Sequence, residues 1–156
     1  MSVEVSGEGG SGQVLVYTMA DGYTAILETI SFQLVTSASG NGHMVRLLLE
    51  SPAGDTIARL DDLNVGGDGQ TNFYTYGIGL NASACTLPGG LAVTDALPWT
   101  ELLPGTEIVL RAIDNAGAEV TGDTFSGVLM HFDRGVAASP TTLDFPLTLL
   151  PGSLAA

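Results

Sequence analysis

Apolar and polar residues alternate with a period of two along much of this chain, and the alternation is punctuated by glycine-rich turns. Between Tyr23 and Thr36, Ile30, Phe32 and Leu34 interleave with Thr29, Ser31 and Gln33. That is the signature of a strand with one buried and one wet face. Gln13–Met19 precedes it, and Ala20-Asp21-Gly22 between the two carries the Asp-Gly pair that favours a tight hairpin. His43–Glu50 sets Val45, Leu47 and Leu49 on one face and Met44, Arg46, Leu48 and Glu50 on the other. Ser51–Asp55 turns the chain into a strand over Thr56–Leu60, and Asp61–Gln70 is a polar, glycine-rich loop. Thr71–Leu80 is expected to be a strand, with Tyr74, Tyr76, Ile78 and Leu80 on one side. Asn81–Leu103 shows no period and reads as irregular. Glu107–Asp114 and Thr124–Asp133 complete the set, with Ile108, Leu110 and Ala112, then Val128, Met130 and Phe132, facing inward.

No segment carries a capped 3.6-residue repeat, and strands do not alternate with helical stretches. The chain is therefore expected to be all-β: an antiparallel β-sandwich of seven or eight strands, jelly-roll-like, with extended arms at both ends. Residues 1–11, rich in Gly, Ser and Glu, read as a flexible N-terminal arm, residues 12–134 as the sandwich, and residues 135–156 as a C-terminal arm. In that last segment Leu143, Phe145, Leu147, Leu149 and Leu150 fall among Pro140, Pro146 and Pro151, with Asp144 the one charge. Proline lacks the N–H and fixes φ, so the segment suits neither a helix nor a central strand. An apolar run of this kind needs cover, either from its own domain or from another molecule.

Composition narrows the functional classes. Ten Asp and seven Glu face only Arg46, Arg59, Arg111 and Arg134, giving a net charge of −13. Four scattered arginines make no basic patch, so neither nucleic acid nor an anionic membrane is an expected partner. The acidic surface keeps separate copies soluble. Cys85, the one cysteine, excludes an internal disulfide and a multi-thiolate zinc site. The first ten residues lack a positive region and an apolar run, so no signal peptide is read there, and synthesis in a cytoplasm is expected.

Candidate chemistry is sparse, and no catalytic residue is assigned. His43 and His131 are the only histidines, with no Gly-x-Ser-x-Gly beside them. Both read as surface or interface residues. The carboxylate pairs Asp61/Asp62 and Glu101/Glu107 read as solvated charge. Within the polar loop, Asp62, Asn64 and Asp68 are oxygen donors of the type calcium takes, yet Gly66 and Phe73 stand where an EF-hand has ligands. No cofactor is expected.

Three stretches carry a resemblance: Tyr23–Ser37, Gly42–Ala58, and Leu102–Leu110 followed by Asp123–Phe132. Together they resemble small β-sandwich virion proteins of tailed bacteriophages, over residues 13–133. In that group a long second strand is followed by an Arg-containing strand and a glycine turn, with a late Leu-Pro-Gly-Thr entry to a strand. The resemblance implies a capsid decoration (cement) protein, or another head- or tail-associated structural protein. Such a protein is located in the virion, partners the major capsid protein and its own copies, and has no catalytic residues to carry over. Interface residues expected on this view are the apolar arm residues Leu143, Phe145, Leu147, Leu149 and Leu150, with Met44, Leu48 and Trp99. The competing expectation is a carbohydrate-binding, lectin-like jelly roll in which Tyr74, Tyr76 and Trp99 stack on sugar rings.

Overall fold

The computed structural model describes residues 2–5, 14–38 and 40–136. These form eleven strands: β1 (Ser2–Val5), β2 (Val14–Thr18), β3 (Tyr23–Val35), β4 (Met44–Glu50), β5 (Thr56–Asp61), β6 (Thr71–Gly77), β7 (Ser83–Leu87), β8 (Gly90–Ala96), β9 (Glu101–Leu102), β10 (Glu107–Ile113) and β11 (Thr124–Val136). Two sheets result. The larger runs β1-β11-β3-β6-β8-β7, with β9 alongside β3, and the smaller runs β2-β10-β4-β5. Every pairing is antiparallel except β6 with β8. The fold is thus an all-β sandwich, as the alternation predicts.

Period-two patterning places the core. Ile30, Phe32 and Leu34 of β3, Tyr74 and Tyr76 of β6, and Val128 and Met130 of β11 form one inner face. Val45, Leu47 and Leu49 of β4 with Ile108, Leu110 and Ala112 of β10 form the other, and all belong to one buried cluster. Phe32 is the aromatic hub. Its ring centroid lies 5.2 Å from Tyr74 in a stacked geometry, and 5.6 Å from Tyr76 and 5.5 Å from Phe125 edge-on. Such offset and edge contacts align ring edges with ring faces and add to the area they bury.

Five strands depart from the sequence reading. Ser2–Val5, expected within a flexible arm, pairs with Val128–His131 as β1. Asn81–Leu103, expected to be irregular, holds β7, β8 and β9. The signal missed there is Leu87-Pro88-Gly89-Gly90: proline presets φ for the turn, and Gly89 takes φ +84°. Leu87 and Gly90 then pair directly across a two-residue loop. Strand β11 runs on to Val136, past the expected domain end. The apolar arm residues Leu143, Phe145, Leu147, Leu149 and Leu150 lie outside the described residues.

Gly90 is fixed by proximity. A Cβ there would sit 1.9 Å from the Thr71 carbonyl oxygen and 2.8 Å from its carbon, both rigid backbone atoms. Gly90→Ala must therefore push β8 away from the start of β6. The expected cost is about 2–3 kcal/mol, the upper range for overpacking, read as a lowered urea midpoint with an unchanged slope.

Candidate functional site

Three loops meet at one end of the sandwich around His43, which immediately precedes β4 and is fully buried. Its Nδ1 is hydrogen-bonded to Asp123 Oδ2 at 2.7 Å, and its Nε2 to Asp68 Oδ1 at 2.9 Å. A carboxylate oxygen accepts, so a carboxylate at each ring nitrogen favours the doubly protonated, imidazolium form of the ring. Burial alone would lower the His43 pKa, but the hydrogen bonds and charges of Asp123 and Asp68 outweigh it and raise the pKa above 6.5. Asp123, also fully buried, takes the backbone N–H of Ser37 at 2.7 Å on its other oxygen. The end of β3, the start of β4 and the entry to β11 are thereby held together. A second network lies beside the first. Asp62 Oδ1 accepts from the Asn64 backbone and side-chain amides at 2.8 and 2.7 Å, while Asp62 Oδ2 accepts from the Tyr76 hydroxyl at 3.0 Å. Burial and the nearby Asp62 raise the pKa values of Tyr74 and Tyr76, so both remain phenols.

This arrangement resembles the histidine–carboxylate pair of a catalytic dyad, but here both ring nitrogens are engaged by carboxylates. An imidazolium with both N–H groups on carboxylates has no lone pair with which to take a proton from a nucleophile. The cluster is a structural clamp. The sequence reading of His43 as a surface or interface residue is corrected here: it is core, and the missed signal is its place between two turns, where two loop carboxylates can reach it. His131, by contrast, is exposed on the outward side of β11. The calcium candidates do not converge. Asp62 serves Asn64 and Tyr76, Asp68 serves His43, and among the described residues no group of three or more His, Cys, Asp or Glu could hold a metal ion.

Surface chemistry divides the two sheets. The outward side of the smaller sheet is charged and carries three of the four arginines. Arg46 and Arg59 both pair with Asp61, and Arg111 pairs with Glu119. The two guanidiniums, Arg59 foremost, hold the Asp61 carboxyl down to about 2. Met44 and Leu48, expected at an interface, lie on this side, yet each is only 8% exposed and already covered within the chain. The outward side of the larger sheet carries Glu28 of β3 and Asp133 of β11 toward one end, and beyond them a patch of the opposite character. Thr124, Ser126 and Leu129 of β11, Ser31, Gln33 and Val35 of β3, Thr71, Phe73 and Thr75 of β6, Ala92 and Thr94 of β8, and Ser83 and Cys85 of β7 lie side by side in register. None is charged. Phe73, near the middle of this face, is 43% exposed.

Tyr74 and Tyr76 point the other way, into the core, and are at most 1% exposed. They cannot stack on a sugar, which leaves Trp99, 69% exposed, alone among the three aromatics considered for that role.

The fold and surface together define an all-β sandwich with an uncharged patch on the outward side of its larger sheet. Compared with known proteins, the chain matches no family model, no curated sequence and no solved structure.

The clamp has a pH signature. A histidine whose folded pKa is raised contributes stability that is complete below pH 6.5 and is lost as pH rises through the raised value. The urea midpoint of the protein is expected to fall from pH 6 upward through that window, and His43→Gln to flatten the fall. His43→Gln or Asp123→Asn is expected to cost about 3–5 kcal/mol at pH 6, because each leaves a buried charge without its partner. An unchanged midpoint in both variants would remove the clamp's structural role.

Proposed function

We propose that this chain is a virion structural protein, of the decoration or cement kind, that stabilises a capsid lattice through protein–protein contact rather than turnover. The observation that carries the reading is the uncharged patch on the outward side of the larger sheet, from Thr124–Leu129 of β11 to Ser83 and Cys85 of β7, in a chain of net charge −13. Depletion of charge is what distinguishes the core of a protein–protein interface from the rest of a surface. The remaining surface, rich in Asp and Glu, keeps the unattached protein dispersed. Leaving out β7, β8 and β9, the strand order β1-β11-β3-β6 over β2-β10-β4-β5 is consistent with a jelly roll, an architecture found among viral capsid domains. The resemblance of residues 13–133 to tailed-phage virion proteins points the same way, with the major capsid protein as the partner.

Co-sedimentation with capsid shells tests the reading. Phe73→Asp combined with Thr75→Asp changes only outward-facing side chains and is expected to shift stability by no more than about 1 kcal/mol. The wild-type chain should pellet with the shells and the double variant should stay in the supernatant. Wild-type protein that never pellets, or a variant that pellets equally well, rejects the proposal.

A further inference from the structure

We infer that β7 is a self-association edge, which pairs antiparallel with β7 of a second copy about a two-fold axis at Cys85. This rests on the assembly reading above and names one partner within it.

The first observation is the state of the edge. Among the described residues β7 pairs only with β8, and its other side is open. Ser83, Ala84, Cys85 and Thr86 are all exposed, although Ala84 lies on the side that faces the core at its neighbour Val93. An edge strand of the smaller sheet, β5, has the protections expected of an edge: the charges of Arg59 and Asp61 and a bulge against β4. Strand β7 has no charge, no proline and no bulge.

The second observation is hydrogen-bond phase. The two-residue loop makes Leu87 and Gly90 a hydrogen-bonded pair, so Cys85–Ala92 and Ser83–Thr94 are hydrogen-bonded pairs too. The N–H and C=O groups of Ala84 and Thr86 consequently point out of the sheet. A two-fold at Cys85 sets Ala84 opposite the second copy's Thr86, and Thr86 opposite its Ala84, each pair exchanging both bonds. The strand is its own complement.

The third is charge. Two bodies of net charge −13 repel wherever acidic surfaces meet, and this strip lets them approach without opposing carboxylates. The apolar segment 140–156 is a poorer occupant, because Pro140, Pro146 and Pro151 interrupt the row of N–H donors a strand would need. Five residues a side fall short of the roughly 1,600 Å² of a standard interface, so the dimer is concentration-dependent.

Cys85 reports on the pairing. Across a two-fold the two residues form a non-hydrogen-bonded pair with Cα atoms about 4.5 Å apart, within the roughly 4.4–6.8 Å that a disulfide spans. Diamide would take up the two thiol hydrogens as the S–S bond forms. Full-length protein is expected to show a reversible monomer–dimer equilibrium by sedimentation over a concentration series, and to cross-link under diamide. Cys85→Ser keeps the equilibrium and loses the cross-link. Ala84→Lys, which adds a charge, and Thr86→Pro, which deletes an outward N–H without touching the β8 ladder, should each give a monomer and slow cross-linking roughly tenfold or more. A monomer at every concentration, or a dimer that survives both edge variants, overturns the inference. So does a dimer abolished instead by Phe145→Asp with Leu147→Asp, which would assign it to the C-terminal segment. Ala84→Lys should still pellet with capsid shells, so loss of the edge contact and loss of the capsid reading are separate results.

Discussion

The contact of His43 with Asp123 joins the two sheets where their loops meet, and much of the fold's order at that end depends on it. His43 leads into β4 of the smaller sheet, and Asp123 leads into β11 of the larger one. Neither reaches water, so neither charge is tolerable without the other. Asp68 supplies the second carboxylate from the loop that carries the chain from β5 to β6, a long polar connection between the sheets. That loop is tied down again by Thr36, whose hydroxyl donates to the Gly67 carbonyl at 2.8 Å and accepts the Gln70 N–H at 2.7 Å. A loop rich in glycine and carboxylates would otherwise lie free in solvent; here its charge is a structural ligand.

Alternation made β3, β4, β10 and β11 legible because each is covered on one face by the opposite sheet, and burial on one face is what writes a period of two into a sequence. Strand β7 escaped for the same reason in reverse. It lies at the rim of the larger sheet, both its faces are exposed, and Ser83-Ala84-Cys85-Thr86 consequently shows no alternation. Strand β1 escaped because its residues sit beside glycine and glutamate that suggested an unstructured arm.

The candidate site was legible only in part. The polar loop stood out for Asp62, Asn64 and Asp68, donors of the type calcium takes in a spacing that already failed the EF-hand pattern. Their actual partners, Tyr76 and His43, come from other strands and cannot be inferred from spacing. Tyr74 and Tyr76 were placed on a common face correctly, but whether that face looks in or out is decided by the order of strands in the sheet. Leu48 shows the converse: its alternation marks the outward side, yet it is covered, flanked in register by Val109 and Arg59.

The two outward faces then carry the functional argument. An acid-rich chain could spread its carboxylates over every exposed strand position at little cost to stability. It does so on the smaller sheet, where arginines accompany them, and on the larger one at Glu28 and Asp133, but withholds them from the outward positions that run from Thr124–Leu129 of β11 across to Ser83 and Cys85 of β7. Within that patch the absence reaches the open edge at β7. A sheet meant to remain solitary would guard that edge as β5 is guarded, with charge and a bulge. Leaving it bare is costly for a protein that works alone, since an open edge invites indiscriminate pairing, and it is tolerable for one whose acidic remainder restricts which surfaces can approach. Net charge and the bare edge thus act as one device: repulsion everywhere else makes the uncharged strip selective.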